Sequence, residues 1–502
     1  MRNYRTRYFD ISVPVFVPAA VITLAFVTLT ILFDEQAGEL FTSFQSYMSR
    51  HFVWLISLCI NYYLLFLLIL GLSSLGRTRI GGKHAQPDFS RFSWIAMLFS
   101  AGMGIGLVYF SVAEPMYHYI HPVRAGAAES TIAADAMKHT FFHYGFHVWG
   151  VYILLGIALA YFTFNRNLPL SIRSTLRPLL GPAMDRWPGH VIDVIAVLAT
   201  LFGLATSLGF GAVQFSSGLG LLTGLSSGVN LQVLSIVGIT LIATASVISG
   251  LHKGLRYLSN LNIIIALCLF FFVLVIGSTG SLLVGFFGDV GTYLAGLPTM
   301  ASFTGDYADR ESWFTGWSMF YWAWWISWSP FVGTFIARIS KGRTIREIAI
   351  FGLLLPAFFS FLWMSVLGGT AIEMQLEGTA DLAAVVSEDS SLALFSMLDQ
   401  LPLSQLSSAL SILLVATFFI TSSDSGSLVV DYMTSGGKLD APKGQKVFWA
   451  FMEGAIAIAL LVGGGLSALQ SASISTGFPF SVILVFVSLS LWKSLREDEQ
   501  AK

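Results

Sequence analysis

Residues 321–333 read Tyr-Trp-Ala-Trp-Trp-Ile-Ser-Trp-Ser-Pro-Phe-Val-Gly, and the chain runs on without a charge to Arg338. A hydrocarbon layer about 30 Å thick is crossed by roughly 20 apolar helical residues, so this stretch reads as a membrane span. Tyr321, Trp324, Trp325 and Trp328 recur at three- and four-residue spacing and share one helix face. Tryptophan usually collects at the membrane surface, but here the rings lie mid-span, which points to the lining of an internal site. Pro330 removes a backbone donor and crowds the carbonyl four residues earlier, so a kink or break is predicted near Ile326. Arg338, Lys341, Arg343 and Arg346 then close the span with a basic loop.

Working outward, the same logic applies to most of the 502 residues, of which 55% are hydrophobic and 11% charged. A soluble globule carries about 25% charged residues, so lipid must cover much of this surface. A net charge of -1 argues against a nucleic-acid binder, which would show a basic stripe or patch. Cys59 and Cys268 sit in apolar runs and read as small core residues. Twelve spans are read, at 13–33, 53–75, 92–112, 141–163, 192–222, 231–249, 257–285, 313–337, 347–371, 405–431, 447–466 and 475–492. With the N-terminus inside, all of the 27 Lys and Arg except Arg50, Arg124, Lys138 and Arg310 fall on the cytoplasmic side. The acidic loop near 373–404, free of Lys and Arg, falls outside. The fold class is therefore an all-α integral membrane protein of twelve transmembrane helices. A short cytoplasmic tail (493–502) follows the last span.

Irregular backbone at membrane depth is tolerated only where it lines a cavity or is buried in protein. Gly102-Met103-Gly104-Ile105-Gly106 is the clearest candidate. It reads either as a close-packing helix, since Gly102 and Gly106 satisfy GxxxG, or as an unwound segment with free amides for an anionic group. In the tenth span, Thr421-Ser422-Ser423-Asp424-Ser425-Gly426-Ser427 brings hydroxyls to membrane depth. Such groups often bond back to their own helix, but Thr421 and Ser422 facing a broken helix would supply hard oxygen ligands for a small cation. His143 and His147 lie at i and i+4 without an evident third metal ligand, and read as hydrogen-bonded packing residues. Glu114 is placed at a helix end and Glu453 near one, both in solvated or structural roles. No nucleophile, base and orienting group converge, so an enzyme is not expected.

Together these segments resemble the betaine/choline/carnitine transporter (BCCT) family. The resemblance rests on AGMGIG at 101–106 with SVAEP at 111–115, HKGLRYLSNLN at 252–262, WAWWISWSPFVGTFIARISKGRTIRE at 322–347 and TSSDSGS at 421–427. It implies a LeuT-like core of two inverted five-helix repeats, a first at 92–285 and a second, with an outer loop before it, at 286–492, preceded by an N-terminal segment with two peripheral helices (1–91); it also implies a homotrimer and a bacterial inner-membrane location with both termini cytoplasmic. It also implies an aromatic box for a quaternary ammonium group, formed by Tyr144, Trp149, Tyr152 and Trp325, with Trp324 and Trp328 lining the route and Gly102, Met103, Gly104 and Gly106 beside it. Tyr144 departs from the tryptophan that several betaine carriers have there. Choline-transporting relatives tend to carry aspartate where this chain has Gly106, which favours a zwitterion that brings its own carboxylate. Carnitine exchangers of the family have lost the glycine pattern.

The resemblance further implies sodium as the coupling ion, bound by Thr421 and Ser422 with backbone oxygens of Ser100, Met103 and Phe418. The sodium-independent exchangers place an arginine in the seventh span, where LSNLNIII at 258–265 has no cation. A second family sodium site would use Thr200, but Leu204 stands at its other position. The expected function is sodium-coupled import of glycine betaine or a related onium zwitterion by alternating access. The alternatives are a proton-driven choline carrier, or a dimethylsulfoniopropionate, carnitine or ectoine transporter of the same family. Osmosensing relatives carry a long basic C-terminal helix, so activity without osmotic regulation is expected here.

Overall fold

The computed structural model describes residues 3–102, 104–124, 126–249, 252–302, 316–438 and 442–501. The side chains of 99–101, 249 and 252–256 are not described. A two-stranded hairpin, β1 (Tyr4–Arg5) and β2 (Asp10–Ile11), precedes an otherwise helical chain. The helices are α1 (Val13–Leu32), α2 (Asp34–Leu72), α3 (Arg91–Gly102), α4 (Ile105–Ile120), α5 (Glu129–Tyr144), α6 (Phe146–Phe164), α7 (Ile172–Leu180), α8 (Trp187–Thr223) and α9 (Val229–Ser249). They continue as α10 (His252–Ile276), α11 (Thr279–Ser302), α12 (Ser318–Ile339), α13 (Ile345–Glu377), α14 (Leu382–Glu388), α15 (Ala393–Asp399), α16 (Ser404–Thr434), α17 (Lys443–Val462) and α18 (Gly465–Gln500).

Among the described residues, 11 helical stretches are long and apolar enough to cross a membrane. Two spans read from the sequence fall short of that description for physical reasons. The third is split into α3 and α4, and α12 is lowered in hydropathy by its own tryptophans, tyrosine and serines. The α5–α6 stretch is 94% buried along its most apolar window, whereas α1 and α9 are 33% buried and the Tyr257–Ile276 part of α10 28%. The first therefore lies inside the bundle with α12, and the others face lipid.

The loops assigned to one side meet there. Arg79 donates to the Gly342 carbonyl at 2.5 Å, Asn165 to Arg79 at 2.9 Å, Arg166 pairs with Asp498 at 2.8 Å, and Asn3 donates to the Ser435 carbonyl at 2.9 Å. At the opposite end, Ser281 donates to Glu373 at 2.5 Å, and Tyr109 and Ser217 bond to Ser390 and Ser391.

Three expectations need correction. The outer loop placed after residue 285 instead contains α11, whose buried Leu282, Phe286, Tyr293 and Met300 form a stripe that packs on α5 and α13. Five glycines and Pro298 disguise it as a loop. The fourth span is interrupted at Gly145, where a β-carbon would come within 2.8 Å of both Phe361 and the Tyr293 hydroxyl, so only glycine fits. Finally, α12 is hydrogen-bonded as one helix through Pro330, with no break at Ile326. The Ile326 carbonyl, deprived of its backbone donor by Pro330, accepts instead from Ser329 Oγ at 2.6 Å.

Candidate functional site

The α3–α4 break creates the site. Helix α3 stops at Gly102, Gly104 is fully extended (φ -157°, ψ -159°), and α4 starts at Ile105. The first amides of α4 have no partner within the helix, and the helix dipole makes this end attractive to negative charge. An indole lies on each glycine. A β-carbon would sit 2.7 Å from Trp324 at Gly106 and 3.1 Å from Trp328 at Gly104, and would overlap the Trp149 ring at Gly102. The segment is thus both unwound and closely packed, but against aromatic rings rather than another helix backbone. Met103 lies outside the described residues.

Helices α5, α6 and α12 bring the remaining walls. A small cavity is lined by Gly102, Gly104, Gly106, Tyr144, Trp149, Tyr152, Trp324, Trp325 and Trp328, so every described member of the expected substrate set is present. Leu107, Val148, Ser207 and Ser360 complete it; nothing in their type or spacing marked them in the sequence. Tyr144 and Trp325 meet edge to face at 5.6 Å, Trp149 and Tyr152 at 5.7 Å, and Trp324 stacks on Trp325 at 4.6 Å. In each edge-to-face pair the edge of one ring meets the face of the other, so the wall is a packed set of aromatic rings. Trp325 Nε1 donates to the His143 carbonyl at 3.0 Å and Tyr144 Oη to the Gly106 carbonyl at 3.0 Å, which fixes both rings.

The other polar tips are treated differently. Trp149 Nε1, Tyr152 Oη and Trp328 Nε1 are buried on the cavity wall with no hydrogen-bond partner. Buried polar atoms are nearly always satisfied, so three orphans around one cavity describe a site for something that accepts hydrogen bonds. The cavity therefore offers aromatic faces to a cation and N–H and O–H groups to an anion.

The chain matches the family model for the BCCT, betaine/carnitine/choline family transporter, over residues 14–500. It is similar to glycine betaine transporter 1 of Vibrio parahaemolyticus, at 45% identity over 98% of this chain and 95% of the relative. A glycine betaine/proline/choline transporter of the same species is 44% identical, over 97% of this chain and 91% of the relative. The glycine betaine transporter OpuD of Bacillus subtilis is 40% identical, over 95% and 93%. The chain belongs to the BCCT family. It is a multi-pass membrane transporter and not an enzyme.

In this BCCT transporter, the residues expected to bind sodium are only partly described. Met103 is outside the described residues and the Ser100 side chain is not described. Helix α16 is unbroken, and Thr421 Oγ1 donates back to the carbonyls of Thr417 at 2.9 Å and Phe418 at 3.2 Å. Ser422 is buried. Asn262 on α10 donates to Thr421 Oγ1 at 3.1 Å, which leaves its own Oδ1 buried and without a partner. That amide oxygen was missed in the sequence and is the kind of hard donor a small cation takes. Thr200 bonds back to Ala196, and Leu204 fills the space against Gly426.

Glu114 differs from expectation. It lies well inside α4, fully buried, not at a solvated helix end. Its Oε1 is 2.5 Å from His143 Nδ1 and 3.2 Å from His118 Nε2, and Oε2 accepts from Tyr321 at 2.5 Å. His143 Nε2 continues to Ser318 at 2.7 Å, and Tyr321 lies 3.3 Å from the Tyr144 hydroxyl. His147 bonds separately to Asn61 at 2.9 Å, so both histidines pack through hydrogen bonds as expected. Glu114, His118 and His143 present ligand atoms within 4.8 Å of one another, but the carboxylate is already met by both imidazoles and a phenol. This network anchors Tyr144, one wall of the cavity. Glu453 likewise lies mid-helix in α17 and fully buried, not near a helix end.

Proposed function

We propose that this BCCT transporter imports glycine betaine, or an onium zwitterion of similar size, together with sodium by alternating access. The observation that carries the reading is the pairing, in one cavity, of an aromatic lining with three unpartnered buried donors. A quaternary ammonium has no N–H and cannot be held by directed hydrogen bonds. Ring faces within about 6 Å attract it, each contributing about 2 kcal/mol when desolvated. A carboxylate on the same ligand satisfies Trp149 Nε1, Tyr152 Oη and Trp328 Nε1 and faces the N-terminus of α4. Gly106 favours the zwitterion over choline, because an aspartate side chain there would displace Trp324. Relatives named for glycine betaine transport add to this reading.

Sodium coupling is supported by the hydroxyls of Thr421 and Ser422 and the orphaned Asn262 oxygen, all on α10 and α16. In this reading sodium stabilises the outward-open bundle, substrate closes the box, and rocking of the two inverted repeats releases both inside. The basic loops face the cytoplasm of a bacterial inner membrane, both termini are cytoplasmic, and the protein assembles as a homotrimer.

The test is tryptophan fluorescence of the purified protein titrated with glycine betaine, dimethylsulfoniopropionate, choline and carnitine, with and without sodium. A saturable, sodium-enhanced response to a zwitterion that is lost in Trp325→Leu is expected. A response to choline alone, indifferent to sodium, would overturn both the substrate and the ion.

A further inference from the structure

Away from the cavity, α9, α16 and α17 pack against one another and enclose Glu453 completely. Its Oε2 accepts one hydrogen bond, from Ser423 Oγ at 3.1 Å, and its Oε1 has no partner. An ionised carboxylate offers about four acceptor sites, and burying one with a single donor is among the costliest arrangements in a protein. A neutral carboxyl needs far less. With the proton on Oε2 the same contact runs the other way, the carboxyl hydroxyl donating to Ser423 Oγ, and the carbonyl oxygen Oε1 alone is left bare, at about 1–3 kcal/mol. The hydroxyls of Thr240 and Thr244 on α9 are also buried without partners, and Thr240 lies directly against Gly454, next in the chain to Glu453.

We infer that Glu453 carries an exchangeable proton and forms a proton-binding site in the α9–α16–α17 seam, separate from the substrate cavity and from Thr421 and Ser422. Loss of the proton leaves a bare carboxylate that the seam as packed does not accommodate, so release requires the three helices to part. Among the described residues, the charged group close to it from a packed element is Asp424, beside Ser423 on α16 and hydrogen-bonded by Ser246 at 2.7 Å, while Asp431 lies two turns further along α16, toward Lys446 and Gln445. Lys446 lies on its own helix, two turns away. The described residues of α1 and α9 include no titratable side chain, and those of α8 and α18 lie in terminal turns engaged elsewhere, Asp193 with Arg173 and Asp498 with Arg166.

The experiment is infrared difference spectroscopy of the purified full-length protein in lipid, in H2O and D2O, alongside glycine betaine uptake into proteoliposomes from acidic to alkaline pH at fixed sodium. At neutral pH a protonated-carboxyl band is expected in the wild type, absent in Glu453→Gln and shifted in Ser423→Ala. Uptake is expected to fall at alkaline pH in the wild type and to be flat with pH in Glu453→Gln. A band that persists in Glu453→Gln, or none in the wild type, would overturn the inference. So would an unaltered pH profile accompanied by a lowered sodium-to-substrate ratio, which would assign the site to sodium. If Glu453→Gln does not fold, the wild-type band and its shift in Ser423→Ala decide. The infrared result stands or falls independently of the symport reading, on which only the uptake arm rests.

Discussion

Two glutamates are sealed inside this helix bundle, and their surroundings are opposites. Glu114 is met by two imidazoles and a phenol drawn from three helices, and through Tyr321 it reaches a wall of the cavity. Glu453 is met by one serine hydroxyl and leaves an oxygen bare. The first carboxyl group has hydrogen-bond partners on both oxygens, as structural polar networks do. The second is under-supplied in a way that only neutralisation relieves. Burial alone thus says little about an intramembrane acid; the number of donors pointed at it separates an anchor from a titrating group.

The comparison breaks most visibly at Glu114. Glu114→Ala leaves His118, His143 and Tyr321 without their acceptor at about 1–3 kcal/mol each, so a loss of at least about 3 kcal/mol is expected. It would be read as a large fall in the thermal unfolding midpoint of the purified protein; an unchanged midpoint would remove the anchor from the argument. Tyr321→Phe should act more narrowly, cutting the link from Glu114 to Tyr144 while keeping the ring. About 1.4 kcal/mol, a roughly tenfold rise in KM with Vmax little changed, is expected in glycine betaine uptake assays. Glu453→Gln should cost less than about 1 kcal/mol, because a neutral isostere preserves both the shape and a hydrogen bond with Ser423. A midpoint shift as large as that of Glu114→Ala would erase the distinction.

The smallest effect belongs to a carboxylate near the aqueous surface. Burial pushes Asp10 up, but hydrogen bonds from Lys438 and Asn3 and the charge of Arg5 outweigh it and hold the group below the usual carboxylate range. Its contribution is therefore complete above the ordinary value of about 3.9 and is lost as pH falls through the lowered one. With Lys438 half exposed to solvent, the contribution is below about 1 kcal/mol. Asp10→Asn should lower the midpoint slightly at neutral pH and converge with the wild type in acid.

The sequence carries the membrane class and the cavity well, because both depend on local pattern. Apolar runs of span length, basic loops on alternate sides, three glycines and a tryptophan-rich face are visible without contacts. What escaped depends on residues far apart in the chain. His143 lies 29 positions and Tyr321 207 positions from Glu114, so no spacing rule brings them together. Helix α11 was hidden by its glycines, since its apolar stripe is sparse and shows its purpose only once Leu282, Phe286, Tyr293 and Met300 are packed on α5 and α13. The break expected at Pro330 failed for a local reason: the rule that proline starves a carbonyl is sound, but the serine beside it feeds that carbonyl instead.

That serine also changes the mechanics of α12. Elsewhere along a helix, bending strains a ladder of backbone bonds, whereas at Ile326 the rung is a side-chain hydroxyl that can let go by rotating about a single bond. Beyond it, Gly333 presses against Leu155 of α6, where a β-carbon would come within 2.9 Å, so the far half of the rod is clamped. The half bearing Trp324 and Trp325 is thus mounted on a compliant joint costing about 1 kcal/mol to release, and Ser329 works as a removable splint that sets how stiffly the aromatic wall is sprung.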